Sequence, residues 1–305
     1  MSTSLEQWFG TDNPLCEHDG DYYRRGRIGR IWAPNYPGVD TLVIVCCHAI
    51  FKIDPARPGP AGYSDPDSFD ETNWHLSPFQ KSNPETGKPG EHETFLAHIA
   101  AGLDALAAGS LENKSLLVFS GGPTKPSLTQ VSEARSYYHA AYDYEARMPQ
   151  PRNNRAELLL SEGSLLMEER ATDSFQNLLF SILLFRRTTG RLPADVRVIT
   201  HAFKSRRFLY LHAPAINWPA NRIRVHGIDP PMSAPDYEAT LAGELKYGYN
   251  AWKHDPFGAG EELSRKRIQR GWKDEYIEEL GNGQCEFAKT LLRRMVPSTD
   301  HVRQQ

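Results

Sequence analysis

The chain has 305 residues and carries 35 Lys and Arg against 38 Asp and Glu, a formal net charge of -3, so nothing global directs it to nucleic acid or to an anionic membrane. Its length suits one large α/β domain with additions or two modest domains. No internal repeat shows at solenoid or propeller periods, and four cysteines without a C-x-x-C pair argue against a zinc ribbon or a disulfide framework.

The stretch 1–37 is mixed and polar, with Tyr22-Tyr23-Arg24-Arg25-Gly26-Arg27 inside it, and reads as a segment that wraps the domain or is partly mobile. Its start, Met1 to Trp8, lacks the basic residues and apolar core of a secretory signal. The longest apolar runs, Leu42 to Cys47 and Leu178 to Phe185, are too short to span a bilayer. A cytoplasmic protein is therefore the expectation.

Thr41 to Cys47 is the first buried strand, with His48 at its carboxyl end. Residues 53–92 are dense in Pro, Gly, Asp, Ser and Asn, yet hold Tyr63, Phe69, Trp74 and Phe79. Pure linkers seldom carry aromatics, so this insertion reads as a docked lid rather than a free tail. Phe95, Leu96, Ile99, Leu103 and Leu106 predict a helix over Glu93 to Ala108. Leu116 to Phe119 is a strand that stops on Ser120-Gly121-Gly122, and a helix follows over Val131 to Arg147. A turn or short strand is expected at Ser161-Glu162-Gly163, ahead of Met167-Glu168-Glu169-Arg170. Ser174 to Thr189 is a helix closed by Gly190 and Pro193. Val196 to Thr200 alternates as a strand, runs into His201-Ala202-Phe203-Lys204-Ser205-Arg206-Arg207, and a helix continues through Leu211. Asn221 to Ile228 reads as one more strand, centred on Arg222-Ile223-Arg224-Val225-His226.

Alternation of strand and helix over 38–229 argues for an α/β fold of three layers, with a mainly parallel sheet and right-handed crossovers. After Pro230-Pro231 the pattern is helical only, over Pro235 to Trp252, Leu263 to Leu280 and Cys285 to Met295. These helices read as a carboxyl-terminal cap, 230–305.

In such sheets ligands bind at the carboxyl ends of the strands. Gly121 and Gly122 end one strand and could cradle a phosphate or carboxylate with free N–H groups, or simply serve a turn. Lys204, Arg206 and Arg207 follow another, in the first turn of a helix, where each exposed cation opposes the macrodipole by roughly 0.3–1 kcal/mol. They call for an anion there, either a ligand or a carboxylate such as Glu133, Glu168 or Glu169. Around Glu168, Ser174 and Asn177, Thr172 or Asp173 reads as an N-cap, while carboxylate, hydroxyl and amide could also line the same edge. Cys47 and His48 point to opposite faces of a strand and do not form a nucleophile and base. The histidines show no metal-ligand spacing, and neither a phosphate-binding loop, a dinucleotide fingerprint nor a G-x-S-x-G elbow is present.

Taken in order, Ser120-Gly121-Gly122, Glu133-Ala134, Glu168 with Ser174 and Asn177, and Thr200 with Phe203 and Arg207 give a chain that resembles the YdcF-like and SanA-like (ElyC/SanA/YdcF) family over roughly Thr41 to His226. Within it, the chain is most similar to the soluble fungal branch with a carboxyl-terminal extension. Departures fall at Ala171, Gln176, His201 and Lys204, where the family pattern has serine, glutamate, serine and histidine, and at Ser174, a conservative exchange for threonine. The resemblance implies a Rossmann-like sheet and S-adenosylmethionine binding as known for one bacterial member. A lysine at position 204 titrates near neutrality only when strongly desolvated, whereas electrostatic binding of an anion survives the exchange.

The combined expectation is an enzyme of unassigned reaction, a hydrolase or transferase, that holds a small anionic or nucleotide-like ligand at the sheet edge. Glu133, Glu168 and Lys204 are its candidate acid, base or catalytic groups. His48, Ser120, Gly121, Gly122, Ser174, Asn177, Thr200, His201 and Arg207 are its candidate binding residues. A non-catalytic binder, S-adenosylmethionine among its candidate ligands, and a scaffold acting through the carboxyl-terminal helices are the alternatives. No nucleic acid, membrane or metal is expected as partner.

Overall fold

The computed structural model describes residues 36–53, 66–107, 114–148 and 154–297. The wrapping segment expected over 1–37, except its last two residues, and Tyr63 of the insertion lie outside the described residues.

Five parallel strands form the centre: β1 (Thr41–Cys46), β4 (Ser115–Ser120), β5 (Leu165–Glu168), β6 (Asp195–Thr200) and β7 (Ile223–Gly227), in the spatial order β5-β4-β1-β6-β7. The remaining two strands, β2 (Ile50–Phe51) and β3 (Trp74–His75), pair antiparallel beside it. Strands covered on both faces need continuous apolar sequence, which the first two clear runs supply. Leu42, Ile44, Leu116 and Val118 face one helical layer, and Val43, Val45, Leu117 and Phe119 face the other.

On the second side lie α1 (Glu91–Ala107), α2 (Glu133–Arg147) and the short α3 (Arg155–Ser161). The opposite face is covered by α4 (Ser174–Thr189), whose Asp173 side chain accepts from the Gln176 N–H as the N-cap and whose Gly190, at φ +76°, ends the helix in the left-handed region. The composite helix α5 runs as 3-10 over Ala202–Lys204, α over Ser205–Arg207, π over Phe208–His212 and α over Ala213–Ala215. This is a Rossmann-like three-layer α/β sandwich with a helical carboxyl-terminal extension.

The extension holds α6 (Ala234–Gly243 as α, Glu244–Tyr249 as π, Asn250–His254 as α), α7 (Glu261–Gln269), α8 (Tyr276–Gly281) and α9 (Glu286–Arg293). A single helix over Leu263 to Leu280, the sequence expectation, is not formed. The chain turns at Gly271, at φ +83°, and Trp272 re-enters the core to stack on Phe180. Apolar spacing continues across the turn because both halves pack on the same core. Trp252, Leu263, Trp272, Leu291 and Leu292 belong to one cluster with Phe175, Phe180 and the sheet, so these helices share the main core.

The strand expected around Ser161 lies slightly later, as β5, because α3 occupies 155–161 and Gly163, at φ +73°, turns the chain between them. In the insertion, Trp74 is buried against Phe51, Phe95 and Tyr137, and its indole N–H donates to the Ser68 carbonyl. The Ser68 N–H in turn donates to Asp143 on α2. Among the described residues no helix is long and apolar enough to cross a membrane.

Candidate functional site

The sheet order reverses at β1, with β4 on one side and β6 on the other. At such a switch point the crossovers leave in opposite directions and open a crevice beyond the carboxyl ends. A cavity of about 850 Å3 occupies that crevice. Cys46, Cys47 and His48 come to it from β1, and Thr200 and His201 from β6. Its roof is built from the insertion, through Ser77, Phe79 and Gln80, and from α6 and α7 of the extension. Seven Lys and Arg side chains line it against five Asp and Glu, which leaves the wall net cationic.

The most basic corner is the first turns of α5. Burial, then the Arg207 guanidinium, lowers the Lys204 ammonium to about 8. Among the described residues no carboxylate stands within ion-pair distance of Lys204. Its Nζ lies 3.4 Å from His48 Nδ1, and His48 Nε2 lies 3.2 Å from Thr200 Oγ1. With the ammonium donating to Nδ1, the neutral ring carries its proton on Nε2 and donates it to Thr200. Burial, followed by the Lys204 charge, holds His48 and His201 well below the ordinary imidazole range. His98, brought down to about 4 chiefly by burial, completes a cluster of three neutral rings. His201 is 1% exposed and both its ring nitrogens lack a hydrogen-bond partner.

Arg207 donates to Glu244 on α6 at 3.1 Å. The internal carboxylate that the sequence suggested for these cations was Glu133, Glu168 or Glu169, and none of the three is the partner. Glu133 accepts from Thr124 at 2.5 Å, Glu168 from Ser120 at 2.7 Å, and Glu169 pairs with Arg135 at 3.0 Å. Glu244 is missed by sequence reasoning because it lies 37 positions downstream of Arg207, in a different helix, with no periodic relation between them.

Eight of the candidate residues are brought together on the cavity wall: His48, Glu133, Ser174, Asn177, Thr200, His201, Lys204 and Arg207. Ser120, Gly121, Gly122 and Glu168 stand behind it. The diglycine does not offer free N–H groups, since Gly121 donates to the Glu168 carbonyl at 3.0 Å and Gly122 to the Ala171 carbonyl at 2.6 Å. Its requirement is space: a Cβ on Gly121 would lie 2.7 Å from Glu133 Oε2 and 3.0 Å from Cys47 Cβ. Ser120 is fully buried, donates to Glu168 at 2.7 Å and lies 3.2 Å from Asn177 Oδ1. Burial raises the Glu168 carboxyl to about 7 although Ser120 and the Arg170 and Ala171 N–H groups hydrogen-bond to it. These contacts fix the loop between β5 and α4. Glu133 is also raised by burial, but within the cavity wall, where Thr124 opposes the shift.

At the start of α4, Ser174 Oγ lies 2.8 Å from His212 Nε2, a contact between residues 38 positions apart. Asp173 pairs with Arg267 at 2.5 Å, and Arg270 donates to the Thr172 carbonyl at 2.9 Å, so α7 is clamped to this helix end. Cys46 also lines the cavity, and burial pushes its thiol up to about 12, so it is no thiolate nucleophile. Among the described residues no group of three His, Cys, Asp or Glu is placed to hold a metal ion.

The chain is similar to uncharacterized protein YOR238W of Saccharomyces cerevisiae, with 29% identity over 261 residues, covering 75% of this chain and 82% of that protein. No protein-family model and no solved structure matches it.

Proposed function

We propose that this chain holds a small anionic ligand of nucleotide size in the cavity beyond β1 and β6, and acts on it as a YdcF-like enzyme. The observation that carries this reading is the pair Lys204 and Arg207. Both are drawn into the wall of one cavity, both have lowered affinity for their protons through burial, and only one carboxylate, Glu244, lies within ion-pair distance of either among the described residues. Cations left short of counter-charge in a desolvated site are stabilised by an anion arriving with the ligand. The cavity volume falls in the range usual for small-molecule sites. Lys204, brought down to about 8, and Glu133, raised by burial in the same wall, supply groups whose proton affinities are shifted from their ordinary values.

Thermal unfolding with inorganic phosphate, AMP, ATP and S-adenosylmethionine tests the reading. A ligand at a hundredfold excess over its Kd adds about 2.7 kcal/mol and raises Tm by several degrees. The double variant Lys204→Ala, Arg207→Ala is expected to lose that shift. The same shift in the double variant contradicts the assignment.

A further inference from the structure

The cations on the cavity wall differ in what answers their charge. Lys266 pairs with Glu262 at 2.7 Å, Arg267 with Asp173 at 2.5 Å, Lys88 lies 3.9 Å from Glu91, and Arg207 has Glu244. Lys125, Lys204 and Arg270 have no carboxylate within ion-pair distance among the described residues. Lys125 and Arg270 make a second cationic corner of the same cavity. We propose that this corner takes the second phosphate of a phosphoanhydride whose first phosphate sits at Lys204 and Arg207. The inference rests on the cavity being an anion site and names the class of anion.

Two segments far apart in the chain assemble the corner. Lys125 lies in the loop between β4 and α2, and its ammonium donates to the His75 carbonyl at 2.6 Å. Arg270 caps the end of α7 and donates to the Thr172 carbonyl at 2.9 Å. Gly271 brings the two together, since a Cβ there would lie 3.3 Å from the Pro123 carbonyl oxygen and 3.7 Å from Pro126 Cγ. At φ +83° the same glycine turns the chain in the left-handed region. Backbone carbonyls carry no net charge, so they position both cations without neutralising them. Arg270 is exposed and Lys125 half-buried, which leaves both open to a ligand.

Glu133 stands between the corners. The charges of Arg270, Lys125 and Lys204 all act to lower its proton affinity, against the burial that raises it. The Arg270 charge also reaches Arg207 across the cavity. Charges separated by salt water are screened within about 8–10 Å, so this mutual influence puts both corners on one short path through an enclosed space. A single phosphate at Lys204 and Arg207 would leave Lys125 and Arg270 unanswered. A second phosphate linked to the first answers them, and its charge raises the proton affinity of Glu133 further, so the carboxyl is neutral in the complex and does not repel it.

Titration calorimetry at pH 7 in metal-free buffer compares inorganic phosphate with inorganic diphosphate, and AMP with ADP. The second phosphate is expected to tighten binding by about tenfold or more, as charge-assisted hydrogen bonds do. Diphosphate against ADP tells an inorganic chain from a nucleotide, and a preference in either pair supports the proposal. In the double variant Lys125→Ala, Arg270→Ala, checked for cooperative thermal unfolding, the preference is expected to disappear. Lys266→Ala removes a cation of the same wall that already has its carboxylate, and is expected to keep the preference. Equal affinities within both pairs, a preference that survives in the folded double variant, or its loss in Lys266→Ala as well would each overturn the proposal. If single phosphates then still bind through Lys204 and Arg207, the second corner falls and the anion site stands. If none of the four compounds binds, both fall.

Discussion

At the scale of single residues, Lys204 changes most between sequence and structure. Judged by type, a lysine is charged far above neutrality and fit only to hold an anion. Enclosed beside Arg207 it comes down to about 8, so most of its charge is present at neutrality and is lost as pH rises through that value. If anion binding requires the protonated lysine, the Kd rises by up to about tenfold per pH unit above about 8, until the raised proton affinity of the complex is passed. Titration calorimetry with the most stabilising anion at pH 7, 8 and 9 measures this directly. Lys204→Arg keeps a charge at every pH and is expected to flatten the profile. A slope that survives in this variant would assign the titration to another group.

Among the elements, strand ends were the legible part. Continuous apolar runs fix β1 and β4, the alternation in Val196 to Thr200 fixes β6, and Gly190 marks the end of α4, since each signal arises from short-range geometry. The role of Gly121 and Gly122 was not legible: a glycine pair looks alike whether its N–H groups meet a ligand or neighbouring carbonyls. Here they meet Glu168 and Ala171, and the missing Cβ makes room for Glu133 and Cys47. Gly121→Ala is therefore expected to cost about 1–3 kcal/mol through overpacking, and to weaken ligand stabilisation by displacing Glu133. Urea unfolding reads the first effect and the thermal shift the second. A stability unchanged from wild type would mean that the turn accepts a side chain. His212 was illegible for another reason. It meets Ser174 from the end of a π-helical turn of α5, and no spacing signal announces that turn.

For the molecule as a whole, the Rossmann-like order places the crevice between β1 and β6, but the sheet supplies only the floor of the site. The walls come from the insertion, which Gln80 ties to the His48 carbonyl, and from the extension, where Glu244 meets Arg207 and Arg267 meets Asp173. These pairings link segments far apart in the chain, so composition and periodicity could locate the strand ends yet not the charges opposite them. An extension that acted as a separate scaffold would leave the cavity intact when removed; this one carries part of its lining. Lys204 and Arg207 are the residues at which a small anion is expected to sit. The most direct measurement is a crystal structure of the protein soaked in selenate, an anion that anomalous scattering locates without ambiguity. The expected result is a selenium peak placed so that selenate oxygens accept from both Lys204 Nζ and the Arg207 guanidinium. Selenate bound only elsewhere, with the crevice free of it, would contradict an anion site at Lys204 and Arg207.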